Sequence, residues 1–266
     1  MNEINIEQSC EISCKGNCKG IRVLSIGNSF SVNAHTYLQE IANAGKVDMV
    51  IGNLFIGGCS LKTHWNNAKN DVKEYDYFKT GQPTARASIK DALLDEKWDY
   101  VTFQQVSGFS GIIETYYPYL TNLAEYVKRY VPAARHVIHQ TWAYEQGCEW
   151  EGFKNYDYDQ QRMFAALKSA YKKAAESIHT KFIIPVGEAF QMARATQIGD
   201  TLCCEDKAHA GIKGNYLAGA VWYEMFTGKS ILENSFTLYE IPPDEMLILK
   251  QVAHDAVRAT PSLATP

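Results

Sequence analysis

The sequence has no apolar run of the roughly 18 residues that a membrane-spanning helix needs, and its first twenty residues lack a positive segment followed by an apolar stretch. We therefore expect a cytoplasmic protein with no membrane partner. The sequence also lacks an excess of basic residues, because 26 Lys and Arg stand against 30 Asp and Glu. The net charge of −4 gives no basic stripe for nucleic acid, so we expect a small-molecule partner.

The spacing of the seven cysteines matches no recognisable disulfide framework or metal-binding motif. Cys10, Cys14 and Cys18 follow a C-x3-C-x3-C spacing that matches neither a zinc ribbon nor a known cluster-binding run. An odd number of cysteines without an export signal fits free thiols better than disulfides. We interpret residues 1–20 as a polar, solvated tail, and we expect no metal or organic cofactor. Nothing in the sequence sets an oligomeric state.

Apolar runs alternate with amphipathic stretches over residues 21–266, and 46% hydrophobic residues are enough for one large core. Strands are predicted at 21–26, 47–55, 98–103, 135–140 and 181–186. Helices are predicted at 31–44, 62–72, 85–95, 116–130, 158–178, 188–195, 213–226 and 243–259. Such alternation is typical of a parallel sheet that helices cover on both faces. We predict a single α/β domain of three layers, α/β/α, around a mostly parallel five-stranded sheet.

Polar or glycine-rich segments follow each of the first three predicted strands. Ser29 follows the first strand, Gly57-Gly58 the second and Gln104-Gln105 the third. The carboxyl ends of parallel strands meet at one edge of the sheet, so these segments should converge. A hydroxyl, an exposed backbone N–H and amide donors are what acyl transfer requires. Each also has a plainer interpretation, as a helix N-cap, a turn and loop anchors.

A base and a residue to orient it occur together late in the chain. Asp206 and His209 form a D-x-x-H sequence just ahead of a predicted helix. In this interpretation His209 takes a proton from the serine and Asp206 holds the far nitrogen of the imidazole. His139 and the pair His254-Asp255 are competitors, but they lie inside predicted regular elements.

An aromatic-rich insertion spans residues 142–158. Its flat rings could form a lid or a wall that stacks on sugars, with Trp142 and Tyr144 contacting the substrate. A surface loop pinned by its own aromatic side chains explains the composition equally well. Asn28 and Gly57, which adjoin the serine and the glycine donor, complete the residues that we expect to bind substrate.

The segment GNSFS, residues 27–31, resembles the first block of the SGNH (GDSL-like) hydrolases, with Asn28 where the common pattern has Asp. Gly57-Gly58 resembles the second block, and Asp206 to His209 matches the last. The third block departs from the family's G-x-N-D, because QQVS stands at residues 104–107; sialate and plant-type acetylesterases carry Q-G-E-S there. The resemblance covers about residues 21–228. It extends to an uncharacterised bacterial branch that shares GNSFS, GGCSL, V-x-x-QQ and QTWAY.

The resemblance implies the flavodoxin-like fold of these hydrolases and a serine esterase that removes acetyl or other short acyl groups from a carbohydrate or small alcohol. The implied triad is Ser29, His209 and Asp206. The implied oxyanion hole consists of the N–H groups of Ser29 and Gly58 and a glutamine amide, from Gln104 or Gln105. The departures at Asn28 and in the third block favour an alternative, a catalytically silent carbohydrate-binding protein of the same fold.

A third interpretation is metal-dependent hydrolysis. Cys203, Cys204, Asp206 and His209 lie close together in the sequence, and their side chains are all of types that bind metals. Spacing alone leaves this interpretation open.

Overall fold

Within residues 20–261 and 263, the part of the chain that this computed structural model describes, seven strands form one sheet. The prediction for Cys10, Cys14 and Cys18 lies outside the described residues. The strands are β1 Ile21–Gly27, β2 Met49–Phe55, β3 Asp76–Lys79, β4 Gln82–Pro83, β5 Tyr100–Phe103, β6 Arg135–His139 and β7 Ile183–Ile184. Their order across the sheet is β4-β3-β2-β1-β5-β6-β7.

The five predicted strands are the parallel ones, namely β2, β1, β5, β6 and β7. Numbered among themselves along the chain, they have the order 2-1-3-4-5, which is the flavodoxin-like arrangement. The carboxyl ends of these five strands all lie along the same side of the sheet. The first three segments of the predicted site follow β1, β2 and β5 at these carboxyl ends.

The expectation of a five-stranded sheet is wrong in one detail. The Tyr-rich segment after β2 folds back as an antiparallel hairpin, so β3 and β4 extend the edge of the sheet. Thr80 and Gly81 both have positive φ at the turn, 52° and 74°, as a two-residue type I′ hairpin requires. The hairpin buries Tyr77 and covers an edge that β2 would otherwise expose.

The described helices surround the sheet: α1 Ser29–His35, α2 Leu38–Ala44, α3 Leu61–Asn70, α4 Ile89–Asp95, α5 Tyr119–Tyr130, α6 Gln160–Ser177, α7 Val186–Arg194, α8 Ile212–Thr227 and α9 Pro243–Arg258. The helix predicted at 31–44 is two helices, because Tyr37 leaves the helical conformation. α3, α4 and α5 pack together, as do α1, α2, α8 and α9. α8 is buried almost all round, which is typical of a central core helix.

The core begins at β1, where Val23, Leu24 and Ile26 are at most 1% exposed. Burial on both faces explains why this strand reads as a continuous apolar run rather than an alternating one. Among the described residues, no helix combines the length and the apolar character needed to span a membrane. The four cysteines of this part of the chain are free thiols.

Candidate active site

Ser29 is the first residue of α1 and lies directly beyond the end of β1. The helix is capped by Asn28, whose extended backbone lets its Oδ1 accept the N–H of Phe30 at 3.1 Å. The N-cap interpretation therefore applies to Asn28, and the half-buried Ser29 hydroxyl is not used for capping. A Cβ on Gly27 would lie 2.3 Å from the Ser31 Oγ, so the chain can turn here only with glycine at that position.

His209 joins Ser29 to Asp206 through its two ring nitrogens. Nε2 lies 2.8 Å from the Ser29 Oγ, and Nδ1 lies 2.6 Å from the Asp206 Oδ2. The D-x-x-H segment is a tight turn in which the second oxygen, Oδ1 of Asp206, accepts the backbone N–H groups of Ala208 and His209 at 3.0 and 2.9 Å. The carboxylate is thus held by its own turn in the orientation that meets the imidazole.

The Asp206 carboxyl is ionised more readily than an ordinary aspartic acid. Burial alone would raise its pKa, but hydrogen bonds from the Ala208 N–H and from the ring and N–H of His209 outweigh burial and lower the pKa below its usual value. A permanent negative charge therefore stands beside Nδ1 of His209. It favours the tautomer that leaves Nε2 free to accept the serine proton.

Trp142 contacts the turn that carries His209 and does not face solvent. It is fully buried and stacks between Phe30 and Phe190, with ring centroids at 4.3 and 4.6 Å. Its Nε1 donates to the Ala208 carbonyl at 2.9 Å. The expectation that Trp142 stacks on substrate does not agree with this burial. Instead, the ring supports the turn that carries His209.

Tyr144 is also buried, with 1% of its surface exposed, and its hydroxyl lies 2.6 Å from the Ser107 Oγ. It therefore offers no face to a ligand, contrary to our expectation. The ring that reaches the site is that of Trp150, which is partly exposed and meets His209 edge-on at 5.0 Å. The composition of the insertion indicated an aromatic contact here, but not which ring makes it.

Gly57 and Gly58 form an exposed turn after β2. The Cys59 N–H donates to the Ile56 carbonyl at 3.2 Å, and Gly58 has a φ of +61°. The turn is joined to the serine segment because Nδ2 of Asn28 donates to the Cys59 carbonyl at 3.1 Å. The Gly-Gly turn thus lies beside the start of α1, as the sequence predicts.

The two glutamines have different surroundings. Gln105 uses both amide hydrogens on Thr115, and its Oε1 accepts the N–H groups of Leu61 and Val106. It matches the loop-anchor interpretation. Gln104 is 2% exposed, and its Nε2 donates to Oδ1 of Asn28 at 2.7 Å. Gln104 therefore directly contacts the residue that precedes Ser29.

The other candidate groups lie elsewhere or are occupied. His254 of α9 pairs with Glu224 of α8, with 2.7 Å between Nδ1 and Oε1. Cys203 is largely buried, which raises the pKa of its thiol, and its N–H donates to a carboxylate oxygen of Glu145. In the described part of the chain, no group of three or more His, Cys, Asp or Glu side chains is arranged to hold a metal ion.

A cleft of about 840 Å³ lies on the side of the sheet away from Ser29, among Arg135, His136 and Phe182. Arg135 and His136 begin β6, and Phe182 precedes β7, so the cleft is at the amino ends of the strands. It contains none of the residues of the Ser29 site.

Comparison with known proteins supports the same fold. A crystal structure of a DUF4886 family protein from Bacteroides uniformis is 39% identical, with a TM-score of 0.87, over 92% of this chain and 98% of that chain. A Parabacteroides merdae protein, provisionally described as a GDSL-like lipase, is 15% identical with a TM-score of 0.51, over 77% of this chain and 95% of that chain. A variant of the acetyl xylan esterase Axe2 from Geobacillus stearothermophilus is 13% identical with a TM-score of 0.51, over 82% of this chain and 97% of that chain.

The last two likenesses show the fold alone: the chain shares the α/β fold of a protein provisionally described as a GDSL-like lipase and of an acetyl xylan esterase. A search of curated proteins finds no match. The family described as DUF4886, a domain of unknown function, matches residues 22–256, which is most of the sequence. The chain therefore belongs to the DUF4886 family.

Proposed function

We propose that the protein is a carboxylic ester hydrolase in which Ser29 is the nucleophile. The observation that carries the proposal is the unbroken hydrogen-bonded chain from the Ser29 Oγ through His209 to Asp206, at 2.8 and 2.6 Å. A serine, a base in contact with it and a carboxylate that orients the base are the three parts of an activated nucleophile.

The reaction would proceed in two acyl transfers. His209 takes the proton of Ser29 as Oγ attacks the ester carbonyl carbon, and Asp206 stabilises the imidazolium that forms. The tetrahedral intermediate collapses to an acyl-enzyme as His209 protonates the departing alcohol. Water then repeats the attack, with His209 again as base, and releases the carboxylic acid and the free serine.

The negative charge on the intermediate needs hydrogen-bond donors next to the serine. We assign this role to the N–H groups of Ser29 and Gly58, because the Gly-Gly turn is exposed and joined to Asn28. Of the two glutamines, Gln104 is the better third donor. Both amide hydrogens of Gln105 are used on Thr115, whereas one hydrogen of Gln104 has no acceptor among the described residues.

The proposed substrate is an acetyl or other short acyl ester of a carbohydrate or small alcohol. One structure of the same fold is of an acetyl xylan esterase, which motivates the acetyl group. The partly exposed Trp150 ring beside His209 is suited to the apolar face of a sugar. The exposed Gly57 would line the approach to Ser29. Asn28 is 1% exposed and both its amide atoms are hydrogen-bonded within the protein, so, contrary to our expectation, it would hold the Gly-Gly turn and not contact substrate.

The alternative of a silent carbohydrate-binding protein draws on the departure at Asn28 and on the aromatic insertion. Asparagine caps a helix as well as aspartate does, and Asn28 does so here, so this departure leaves the geometry of Ser29 intact. Trp142 and Tyr144 are buried, which removes two of the rings that a sugar-binding wall would need.

The test is hydrolysis of p-nitrophenyl esters from acetate to decanoate by the wild type, Ser29→Ala and a matched control, Ser235→Ala. Ser235 is an exposed serine remote from the triad in sequence. We expect turnover of the short esters by the wild type and the control, and a loss of about 10⁴-fold or more in Ser29→Ala. Turnover retained in a folded Ser29→Ala variant would refute the proposal. A preference for decanoate would refute the short-chain assignment.

A further inference from the structure

A chain of hydrogen bonds crosses the carboxyl ends of four neighbouring parallel strands. It runs from His139 at the end of β6 to Gln104 beyond β5, to Asn28 beyond β1, and to Cys59 beyond β2. Its three links measure 2.8, 2.7 and 3.1 Å. All four residues are at most 2% exposed. The chain therefore follows the spatial order of the strands and ends at the Gly-Gly turn.

The backbone fixes the direction of every link. Oδ1 of Asn28 accepts the N–H of Phe30, so its Nδ2 must be the atom that donates to the Cys59 carbonyl. Since Oδ1 can only accept, Nε2 of Gln104 must face it. The Oε1 of Gln104 then faces His139, whose Nδ1 must carry a proton and donate it. The arrangement leaves no freedom to flip either amide.

The other ring nitrogen of His139, Nε2, carries no proton. Its Nε2 is buried without a hydrogen-bond partner in the described part of the chain, and the ring meets Trp222 edge-on at 5.1 Å. Burial, with a smaller contribution from His35, lowers the pKa of His139 to about 3. The ring is therefore neutral at physiological pH. A buried lone pair without a partner is unfavourable, and a strand whose only task is packing would be served better by an apolar residue.

We infer that His139 is a positioning residue for the Ser29 site. By donating from Nδ1, it holds the Gln104 amide, which holds Asn28, which in turn holds the Cys59 carbonyl. The distance between the Ser29 segment and the Gly58 N–H is fixed in this way, although His139 touches neither. The inference rests on the proposed function, and it deepens the account of the oxyanion hole.

The protonation state of His139 is tested by nitrogen-15 NMR on the intact protein, in the wild type and in Ser29→Ala. We expect a neutral ring with the proton on Nδ1 throughout pH 5 to 8 in both. A proton on Nε2, or titration of the ring within this range, would overturn the inference. This measurement needs no enzymatic activity.

The positioning role is tested by two variants and a control on the same strand. His139→Phe removes the donor, while His139→Asn keeps an N–H near the place of Nδ1. The control is His136→Phe, because His136 is a half-buried histidine of β6 outside the hydrogen-bond chain. We expect His139→Phe to lower kcat by about 10- to 100-fold with little change in KM, as a displaced catalytic geometry does. His139→Asn should recover most of this loss, and the control should match the wild type.

Equal kcat in His139→Phe and the control, or no recovery in His139→Asn, would refute the inference. Backbone amide exchange at Phe30 and Cys59 gives a second readout, which should be faster in His139→Phe than in His136→Phe. If the wild type lacked ester turnover, the proposed function would fail, and exchange would still decide the inference. Unchanged exchange at both amides would overturn it in either case.

Discussion

Replacing Asp206 with asparagine should preserve the fold and remove nearly all catalysis. In the wild type, Oδ1 accepts two backbone N–H groups, from Ala208 and His209. These donors require an oxygen, so they fix the orientation of an asparagine side chain as well. Its NH₂ group would then take the place of Oδ2 and face Nδ1 of His209, 2.6 Å away in the wild type.

Two donors cannot face each other, so Nδ1 must become an acceptor and the proton must move to Nε2. The Nε2–H would then donate to Ser29 instead of taking its proton. The expected loss in kcat is about 10⁴-fold, which corresponds to about 5 kcal/mol of transition-state stabilisation. The melting temperature should change little, because both backbone bonds to Oδ1 survive.

The assay compares kcat/KM on p-nitrophenyl acetate for the wild type, Asp206→Asn and the control Asp71→Asn. Asp71 is exposed and caps the C-terminal end of α3 with a φ of 48°, a conformation that asparagine tolerates. Asp206→Asn with more than about a tenth of wild-type activity would refute the tautomer argument, since a loss of about 10⁴-fold is expected. Cooperative thermal unfolding of all three proteins is the check on folding.

Three further predictions concern the turn, the aromatic rings and pH. Gly58→Ala should cost about 1 to 2 kcal/mol of stability and lower kcat, because φ is +61° there. Gly57→Ala, with ordinary φ and no atom closer than 4.0 Å to the added Cβ, should leave stability unchanged, and equal unfolding midpoints of the two variants in urea would contradict this. Trp142→Phe should lower the free energy of unfolding by about 1 to 3 kcal/mol, because the hydrogen bond to Ala208 and part of the packing are lost. Trp150→Ala should raise KM with little change in melting temperature. A raised KM with unchanged stability in Trp142→Phe would mean that Trp142 contacts substrate. Burial lowers the pKa of His64 to about 3, below its unfolded value of about 6.5, so its contribution to stability is complete above pH 6.5 and is lost as pH falls towards 3. His35 and His139 are buried with similarly lowered pKa values, so the slope of unfolding free energy against pH should be smaller in His64→Leu than in the wild type by about 1.4 kcal/mol per pH unit, and equal slopes in urea unfolding would contradict this.

The sequence predicts the parallel part of the sheet because burial on both faces leaves a local signal. The continuous apolar run of β1 and the amphipathic segment after it are clear in the sequence. The order of the strands then places the carboxyl ends of β1, β2 and β5 side by side. The D-x-x-H spacing also predicts that Asp206 holds the imidazole of His209, and the structure brings His209 against Ser29. The catalytic roles of these residues remain our proposal.

The remaining features depend on contacts between residues far apart in the sequence. Trp142 is buried because Phe190, almost fifty residues later, covers one face of its ring. Gln104 and Gln105 are adjacent glutamines, but the side chain of Gln104 contacts Asn28 whereas that of Gln105 contacts Thr115. No pattern of residue types shows which of the two contacts Asn28. The hairpin of β3 and β4 left only a weak local signal, because Thr80-Gly81 is not one of the dipeptides typical of a two-residue hairpin and a β-branched residue rarely adopts positive φ.

The most direct test of the central claim is mass spectrometry of the intact protein after reaction with an active-site organophosphonate. We predict one adduct per chain, located at Ser29 by peptide mapping, and no adduct in Ser29→Ala or in the same protein unfolded in urea. An unmodified Ser29 in the folded wild type, or an adduct at another residue, would contradict the assignment of Ser29 as the nucleophile.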